Sequence, residues 1–357
     1  MTITLEEAQK VITKSFSKSN HLHVCGFSEV QDKDSYSRTR NNTTYILDLA
    51  PYADSAPTHT SFITISATAE EPASAYHANS LRICSQLITM IHKQTSIPIP
   101  EPILDTTLDV ISYPYLLTPP QPLQSSSIIP LSAARAQNLL TETQEAFIDL
   151  TLGQLLGQLH SGVQNDWFGR PSISQPNEPS YSWQETFTAL LEPLIEHARE
   201  AGIDLGVSYP DIQTYLSRAI AFFLFDDVEV PSLIWFTGSE DDIYITRPND
   251  TSPSVQIAAI VPTLAHSLWG DPLLESFFLP PAPSKAVQEG YVGGGGNPLL
   301  VFGRQKTKRL WYTVFLALVV LVERDGPQAT DSDFGKRLWA LNTLERCFQA
   351  LKDAPCY

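Results

Sequence analysis

Between Leu233 and Ile245, two apolar runs enclose a polar turn, Thr237-Gly238-Ser239-Glu240-Asp241-Asp242. Consecutive carboxylates beside hydroxyls can accept a proton from a substrate or hold a cation. The same triplet, Glu240-Asp241-Asp242, also fits a solvated turn ahead of a strand. Further along, His266 follows Pro262 and offers an imidazole as general acid or base. A hydrogen-bonded, partly buried histidine fits that position equally well. Trp235, Phe236, Tyr244, Trp167 and Trp269 lie near these groups in sequence. Such rings would wall an apolar site, although ordinary core packing accounts for many aromatic side chains.

Other chemistries find no support in the chain. No Gly-x-Ser-x-Gly elbow and no Gly-x-Gly-x-x-Gly run is present. Gly293-Gly294-Gly295-Gly296 lacks the lysine and the strand-to-helix setting of a phosphate cradle, and reads as a flexible surface loop or lid. Cys25, Cys84, Cys347 and Cys356 form no Cys-x-x-Cys pair, so no zinc site is expected. A formal net charge of −16 argues against a nucleic-acid partner, which would need a basic face. The start of the chain lacks the basic and apolar blocks of a signal peptide. The longest apolar run, Leu310 to Val322, is too short for a membrane span and is bracketed by Arg309, Glu323 and Arg324. A cytoplasmic protein with reduced thiols is the expectation.

The 357 residues, 43% of them hydrophobic, suffice for one large two-lobed domain. Thr4 and Glu7 predict a capped helix over the first 16 residues. Short β-rich runs follow at Leu22–Phe27, Thr44–Leu49 and Phe62–Ser66, the last two as a hairpin. Leu81, Cys84, Leu87, Ile88 and Ile91 form an apolar stripe at helical spacing, predicting a helix over 78–93. Pro98, Pro100 and Pro102 force an extended exit, and 110–117 reads as a strand. Pro119–Pro130 reads as a linker. Helices are predicted at 132–139, 143–160, 183–201, 208–225, 306–324 and 332–352, interrupted by strands within 232–247 and 255–261. The plan is α+β: a β-rich first lobe over 1–118, a hinge over 119–130, and a mainly helical second lobe over 131–357 that contains the strand pair at 232–261. Asp271 is placed to cap the element after it.

Four segments resemble the aminoglycoside phosphotransferase / choline kinase-like family, especially its fungal members. They are Thr95-Ser96-Ile97-Pro98-Ile99-Pro100-Glu101; Tyr113-Pro114-Tyr115-Leu116-Leu117; Leu152 to Ser161, with Leu159-His160-Ser161 at its end and Trp167-Phe168-Gly169 beyond; and Trp269-Gly270-Asp271-Pro272. Their order and spacing cover most of the chain. The resemblance implies a protein kinase-like fold and a buried, bracing role for His160.

The resemblance also implies that the working groups of phosphoryl transfer are degenerate. The family's catalytic turn reads His-Gly-Asp, four residues, then Asn, its Asp taking the substrate proton and its Asn holding a metal ion. Here Trp235, Phe236 and Thr237 replace His-Gly-Asp, and Asp242 replaces the Asn. No lysine stands on the strand Phe62–Ser66. Cys84 falls where a glutamate should orient that lysine, and Pro262 falls where a second metal-binding aspartate belongs. Gly26-Phe27-Ser28 is a poor remnant of a phosphate loop and precedes a charged insertion at Asp32–Arg40.

The candidate catalytic residues are therefore Thr237, Asp242 and His266, and the candidate substrate-binding residues Trp235, Phe236, Trp269, Trp167 and Tyr244. No cofactor and no metal are expected. The expected function is a repurposed cleft that binds an apolar small molecule. Cofactor-free cyclisation, isomerisation or a pericyclic step in natural-product biosynthesis would need only shape and modest hydrogen bonding. A non-catalytic scaffold with a protein partner, and a phosphotransferase with relocated residues, are the alternatives.

Overall fold

A computed structural model of the chain describes residues 1–16, 22–30, 36–37, 39–52, 55–67, 76–123, 128–247, 255–279, 283–299, 302–324 and 331–356. Helix α1 (Leu5–Ser15) opens with a full capping box: the Thr4 hydroxyl accepts the Glu7 N–H, and the Glu7 carboxylate accepts the Thr4 N–H. Its buried face, Ala8, Val11 and Ile12, packs on one side of an antiparallel sheet. That sheet contains β1 (His23–Glu29), β2 (Asn42–Ala50), β3 (His59–Ser66), β4 (Ile103–Asp105) and β5 (Tyr115–Leu117), in the order β1-β2-β3-β5-β4.

Alternation along the strands separates the two faces of this sheet. Tyr45, Leu47 and Leu49 of β2, with Ile63 and Ile65 of β3, face α1. Ile46 and Phe62 face the other way and meet Tyr244. Thr44, Asp48 and Thr64 share that second face by the same period. Helix α2 (Leu81–Gln94) starts three residues later than expected, because the Ser80 side chain caps it by accepting the Ile83 N–H. The strand expected over 110–117 is confined to β5, since Pro114 has no N–H to give a ladder.

The stretch expected as a linker is strand at both ends. Strand β6 (Gln121–Pro122) pairs with β3 in the first sheet, and β7 (Ile128–Pro130) pairs with a strand of the second lobe. Helices α3 (Leu131–Ala136), α4 (Glu142–Gly162), α5 (Trp183–Glu200) and α6 (Tyr209–Ala221) follow. Next come β8 (Ser232–Ile234), β9 (Ile243–Thr246), β10 (Ile257–Ile260) and β11 (Leu268–Gly270). Strand β9 sits between β7 and β10, and β8 pairs with β11. Helices α7 (Lys285–Gly293), α8 (Gly303–Arg324) and α9 (Asp331–Leu351) complete the lobe. Trp183, Phe187, Phe225, Tyr312 and Phe315 centre its main core. No described helix is long and apolar enough to cross a membrane.

The four-glycine run is not the free loop or lid that its composition suggests. Gly293 ends α7 and Gly294 caps it. Helices α4 and α7 touch backbone to backbone through Gly153, Gly157, Gly290 and Gly294. A Cβ on Gly290 would lie 2.0 Å from the Leu150 carbonyl oxygen, and one on Gly294 would lie 2.2 Å from that of Gln154. Glycine is required there by close approach, not for flexibility.

This contact yields a paired prediction. Gly290→Ala should lower stability by roughly 2–3 kcal/mol in denaturant unfolding, because a helix must move to admit the methyl. Gly293→Ala, whose methyl would meet nothing within 4 Å, should be neutral or stabilising by up to about 1 kcal/mol. Equal effects of the two changes would contradict this packing.

Candidate functional site

The turn from β8 to β9 is held by its own capping box, in which the Ser239 N–H donates to the Asp242 carboxylate at 3.0 Å, and by its neighbours. Glu275, fully buried, accepts the Trp235 N–H at 2.9 Å, and the Ser276 hydroxyl donates to the Gly238 carbonyl. His160 Nε2 lies 3.5 Å from the same Glu275 carboxylate, while its Nδ1 is 3.0 Å from the Tyr291 hydroxyl. His160 thus braces the turn from the C-terminal end of α4. The Trp235 ring folds over Gly238, where a Cβ would come within 2.3 Å of it. Its indole N–H donates to the Thr263 carbonyl at 3.0 Å.

Phe236 has φ +66°, in the left-handed region. A side chain there costs about 1–2 kcal/mol relative to a right-handed conformation. A bulky residue nevertheless occupies this left-handed position. The ring is fully buried and 5.0 Å from Phe315, so core packing offsets the strain.

Each carboxylate of the acidic triplet is engaged. Glu240 pairs with Arg135, which also binds Asp149. Ser132 donates to Asp241. Ser37 donates to Asp242, 3.0 Å from each carboxylate oxygen. Asp241 and Asp242 are both buried, which rules out the solvated-turn interpretation. Burial pushes the Glu240 carboxyl up, against the opposing pull of Arg135.

The expected site residues do not converge on one cavity. Thr237 is fully buried, and its hydroxyl has no hydrogen-bond partner. His266 is buried with Nδ1 3.3 Å from the Tyr76 hydroxyl and Nε2 3.8 Å from Glu323. Phe236 belongs to the main helical core, whereas Trp235 and Trp269 belong to the core between α2 and α4. Trp167 is half-buried in the loop after α4, its carbonyl accepting from Asn165. Tyr244 alone of the five aromatics lines a sizeable cavity in the cleft. The aromatic wall expected there is not assembled, because the neighbouring rings turn into the hydrophobic core.

At its inner end the cleft is nearly full. Thr64, Cys84, Pro262 and Ser37 surround a cavity of only about 30 Å³. Thr64 bonds Thr44 across the strands at 2.9 Å. Burial pushes the Cys84 thiol up to about 12, so it is an inert apolar group here. Ser37 and Thr39 line this cavity, and their neighbours Tyr36 and Arg40 reach the helical lobe. Tyr36 stacks on Trp339 of α9 at 4.5 Å, and Arg40 donates to Glu323 of α8 through its backbone and its guanidinium. Sequence reasoning passed over Ser37. It lies in a segment legible only as a charged insertion.

Toward its outer end the cleft opens to about 350 Å³, bounded by Glu29, Ile46, Asp48, Leu123, Ile128 and Tyr244, among others. The chain at 118–123 borders this space and has little to offer a purine. Pro119, Pro120 and Pro122 have no N–H. The Thr118 and Leu123 N–H groups donate to Phe62 and Thr58, and Gln121 is paired with Thr60. Strands β1–β3 contain no lysine or arginine.

These residues do not fit a magnesium nucleotide. Among the described residues no lysine or arginine lines this space to meet phosphates, and Ser37 donates to Asp242, the residue that the resemblance aligns with a metal ligand. Among the described residues, no group of three or more His, Cys, Asp or Glu side chains is arranged to hold a metal ion.

A larger cavity of about 500 Å³ lies at the opposite end of β8, near Ser232. Its buried charges satisfy one another. Lys308 reaches Asp227 and Asp271, and the Tyr312 hydroxyl donates to Asp271 at 2.7 Å. Asp271 also caps the short turn after it, as expected. Size alone does not make this the functional site. The cleft is where a buried carboxylate, a strained turn and both lobes meet.

No family model matches the chain, and no curated protein matches it. Solved structures do. One is from Ralstonia eutropha and bears the name of an aminoglycoside phosphotransferase, with a TM-score of 0.57 and 12% identity over 99% of this chain and 100% of the other. Another, from Haemophilus somnus, bears the name of a fructosamine-3-kinase, with a TM-score of 0.54 and 13% identity over 95% of this chain and 97% of the other. At such identities the likeness establishes the kinase-like fold and nothing about activity.

Two substitutions probe the turn. Phe236→Ala should cost about 3–5 kcal/mol through the cavity it leaves. Phe236→Gly should be no less stable than Phe236→Ala, although glycine elsewhere costs about 0.5–1 kcal/mol more than alanine. The usual order of the two variants in denaturant melts would contradict the left-handed backbone. Thr237→Val removes a buried hydroxyl without a partner and should leave the melting temperature unchanged or raise stability by up to about 1 kcal/mol. A clear loss would reveal a bond to that hydroxyl.

Proposed function

We propose that this chain is a kinase-like protein that does not transfer phosphate and that holds a mostly apolar small molecule in the outer half of its cleft. The observation that carries this reading is the exchange at the inner end. Ser37 occupies the carboxylate at the metal position, and Thr64, Cys84 and Pro262 stand around it without a charge among them. Phosphoryl transfer depends on metal ions and cations to neutralise developing charge. Among the described residues that line it, the inner end has no lysine or arginine. The outer space is within the usual size range of small-molecule sites.

Any chemistry in that space would be modest. Among the described residues, the ionisable groups on its wall are Glu29, Asp48 and Tyr244. A cofactor-free cyclisation or isomerisation would rest on shape, with these groups steering the proton or charge. In this reading Thr237, Asp242 and His266 hold the surrounding structure rather than touch the ligand. A setting in the reducing cytoplasm is supported by four unpaired cysteines.

A second reading, a non-catalytic scaffold, is favoured by the bridges from Tyr36 and Arg40 to α9 and α8. They couple the lobes through the chain's own contacts. A phosphotransferase with relocated residues is disfavoured by the lack of lysine and arginine on β1–β3.

Thermal melting with ATP, with and without Mg²⁺, tests the proposal. A ligand at a hundred times its Kd stabilises by about 2.7 kcal/mol, a shift of several degrees. No metal-dependent shift and no ATP turnover are expected. A rise in melting temperature that requires both ATP and Mg²⁺ would overturn the reading.

A further inference from the structure

We infer that the helical lobe has a second ligand site, in the cavity of about 500 Å³ beside the start of β8, and that it takes a neutral amide: a lactam or cyclic peptide with an apolar body. The assignment does not depend on what the cleft between the lobes holds.

The argument begins with charge. Lys308 is 1% exposed and reaches Asp227 and Asp271, and the Tyr312 hydroxyl also donates to Asp271. Arg304 lies 3.9 Å from the other carboxylate oxygen of Asp227. Two cations thus face two carboxylates, and the set is balanced within the protein. A ligand ion would find no spare buried counter-charge to replace its water. An acidic ligand would in addition meet Glu229, which lines the same cavity. A neutral ligand carries neither cost.

The polar groups left without partners are neutral as well. Ser232 is 4% exposed and lines the cavity, yet its hydroxyl has no hydrogen-bond partner among the described residues. Pairing with Gly270 of β11 and a bridge to Gln164 fix its backbone. The Gln305 side chain, also on the wall, makes no hydrogen bond among the described residues, and its carbonyl oxygen is buried. Buried polar groups are normally paired, so these two call for a partner that the chain does not supply.

Carboxamides recur around the space. Gln164, Asn297 and Gln305 reach it from the ends of α4 and α7 and from α8. A carboxamide offers an acceptor and donors in one plane, and a ligand amide matches them with a donor and an acceptor of its own. A hydroxyl such as that of Ser232 serves either end. Val228, Pro272, Leu273 and Leu299 form an apolar wall suited to a hydrocarbon body. The volume is within the usual range of small-molecule sites.

Calorimetric titration of the full chain with the cyclic dipeptide of alanine and leucine, and with its N,N′-dimethyl derivative, tests the assignment. Both probes are neutral and share a body, and methylation removes the amide donors. The cyclic dipeptide should bind at least about tenfold more tightly than the dimethyl derivative. Gln305→Met, in the first turn of α8, should remove most of that preference, and Ser232→Ala should weaken binding of the cyclic dipeptide. Equal binding of the two probes to the unmodified chain would overturn the amide assignment. Binding of neither at millimolar concentration would overturn the site. So would binding of the cyclic dipeptide that neither variant weakens, because the probe would then sit elsewhere. The comparison in the unmodified chain needs no variant, and none of these outcomes bears on the ATP and Mg²⁺ melts that test the cleft.

Discussion

The contact between Ser37 and Asp242 joins residues 205 positions apart in the chain and is buried on both sides. A hydroxyl donating to an ionised acceptor is worth roughly 1.5–3 kcal/mol when both partners stay paired. Removing the serine would take one donor from a buried carboxylate that also accepts the Ser239 N–H. The contact also determines what the cleft can hold. In a kinase-like fold, a carboxylate at that position would face a metal ion and, beyond it, phosphates. Here it faces the chain's own loop. The segment that makes the contact goes on to stack Tyr36 on Trp339 and to tie Arg40 to Glu323. One loop therefore closes the inner cleft and fastens it to the helical lobe.

The turn between β8 and β9 packs large buried side chains along a partly left-handed path. Glu275 and Ser276 still hold the turn from below, and His160 still braces Glu275. Phe236 keeps a left-handed backbone that suits glycine. Such strain persists where surrounding packing over-determines a conformation. The space left over is displaced outward, toward β1, β2 and the strand exit, where no lysine or arginine is found on β1–β3.

Much of this was legible in the sequence because it is local. The capping box at Thr4 and Glu7, the apolar stripe of α2 and the β2–β3 hairpin each follow from periodicity over a few residues. The absence of lysine from β3 is equally readable in the sequence. What escaped depends on distant partners. Ser37 carries no local signal of its contact with Asp242. Four consecutive glycines read as a loop, because the need for Gly294 arises from its approach to Gln154 of α4, not from its own stretch. Trp235, Phe236 and Trp269 were legible as aromatic, but in a turn and a three-residue strand no period tells core from cleft.

The central claim is that the chain fills the metal end of its own cleft. A crystal structure of the full chain grown with Mg²⁺ and a non-hydrolysable ATP analogue tests it most directly. The account predicts the Ser37 hydroxyl on Asp242, with no nucleotide between the lobes. Ser37 displaced, with a metal ion bridging Asp242 and the analogue's phosphates, would contradict it.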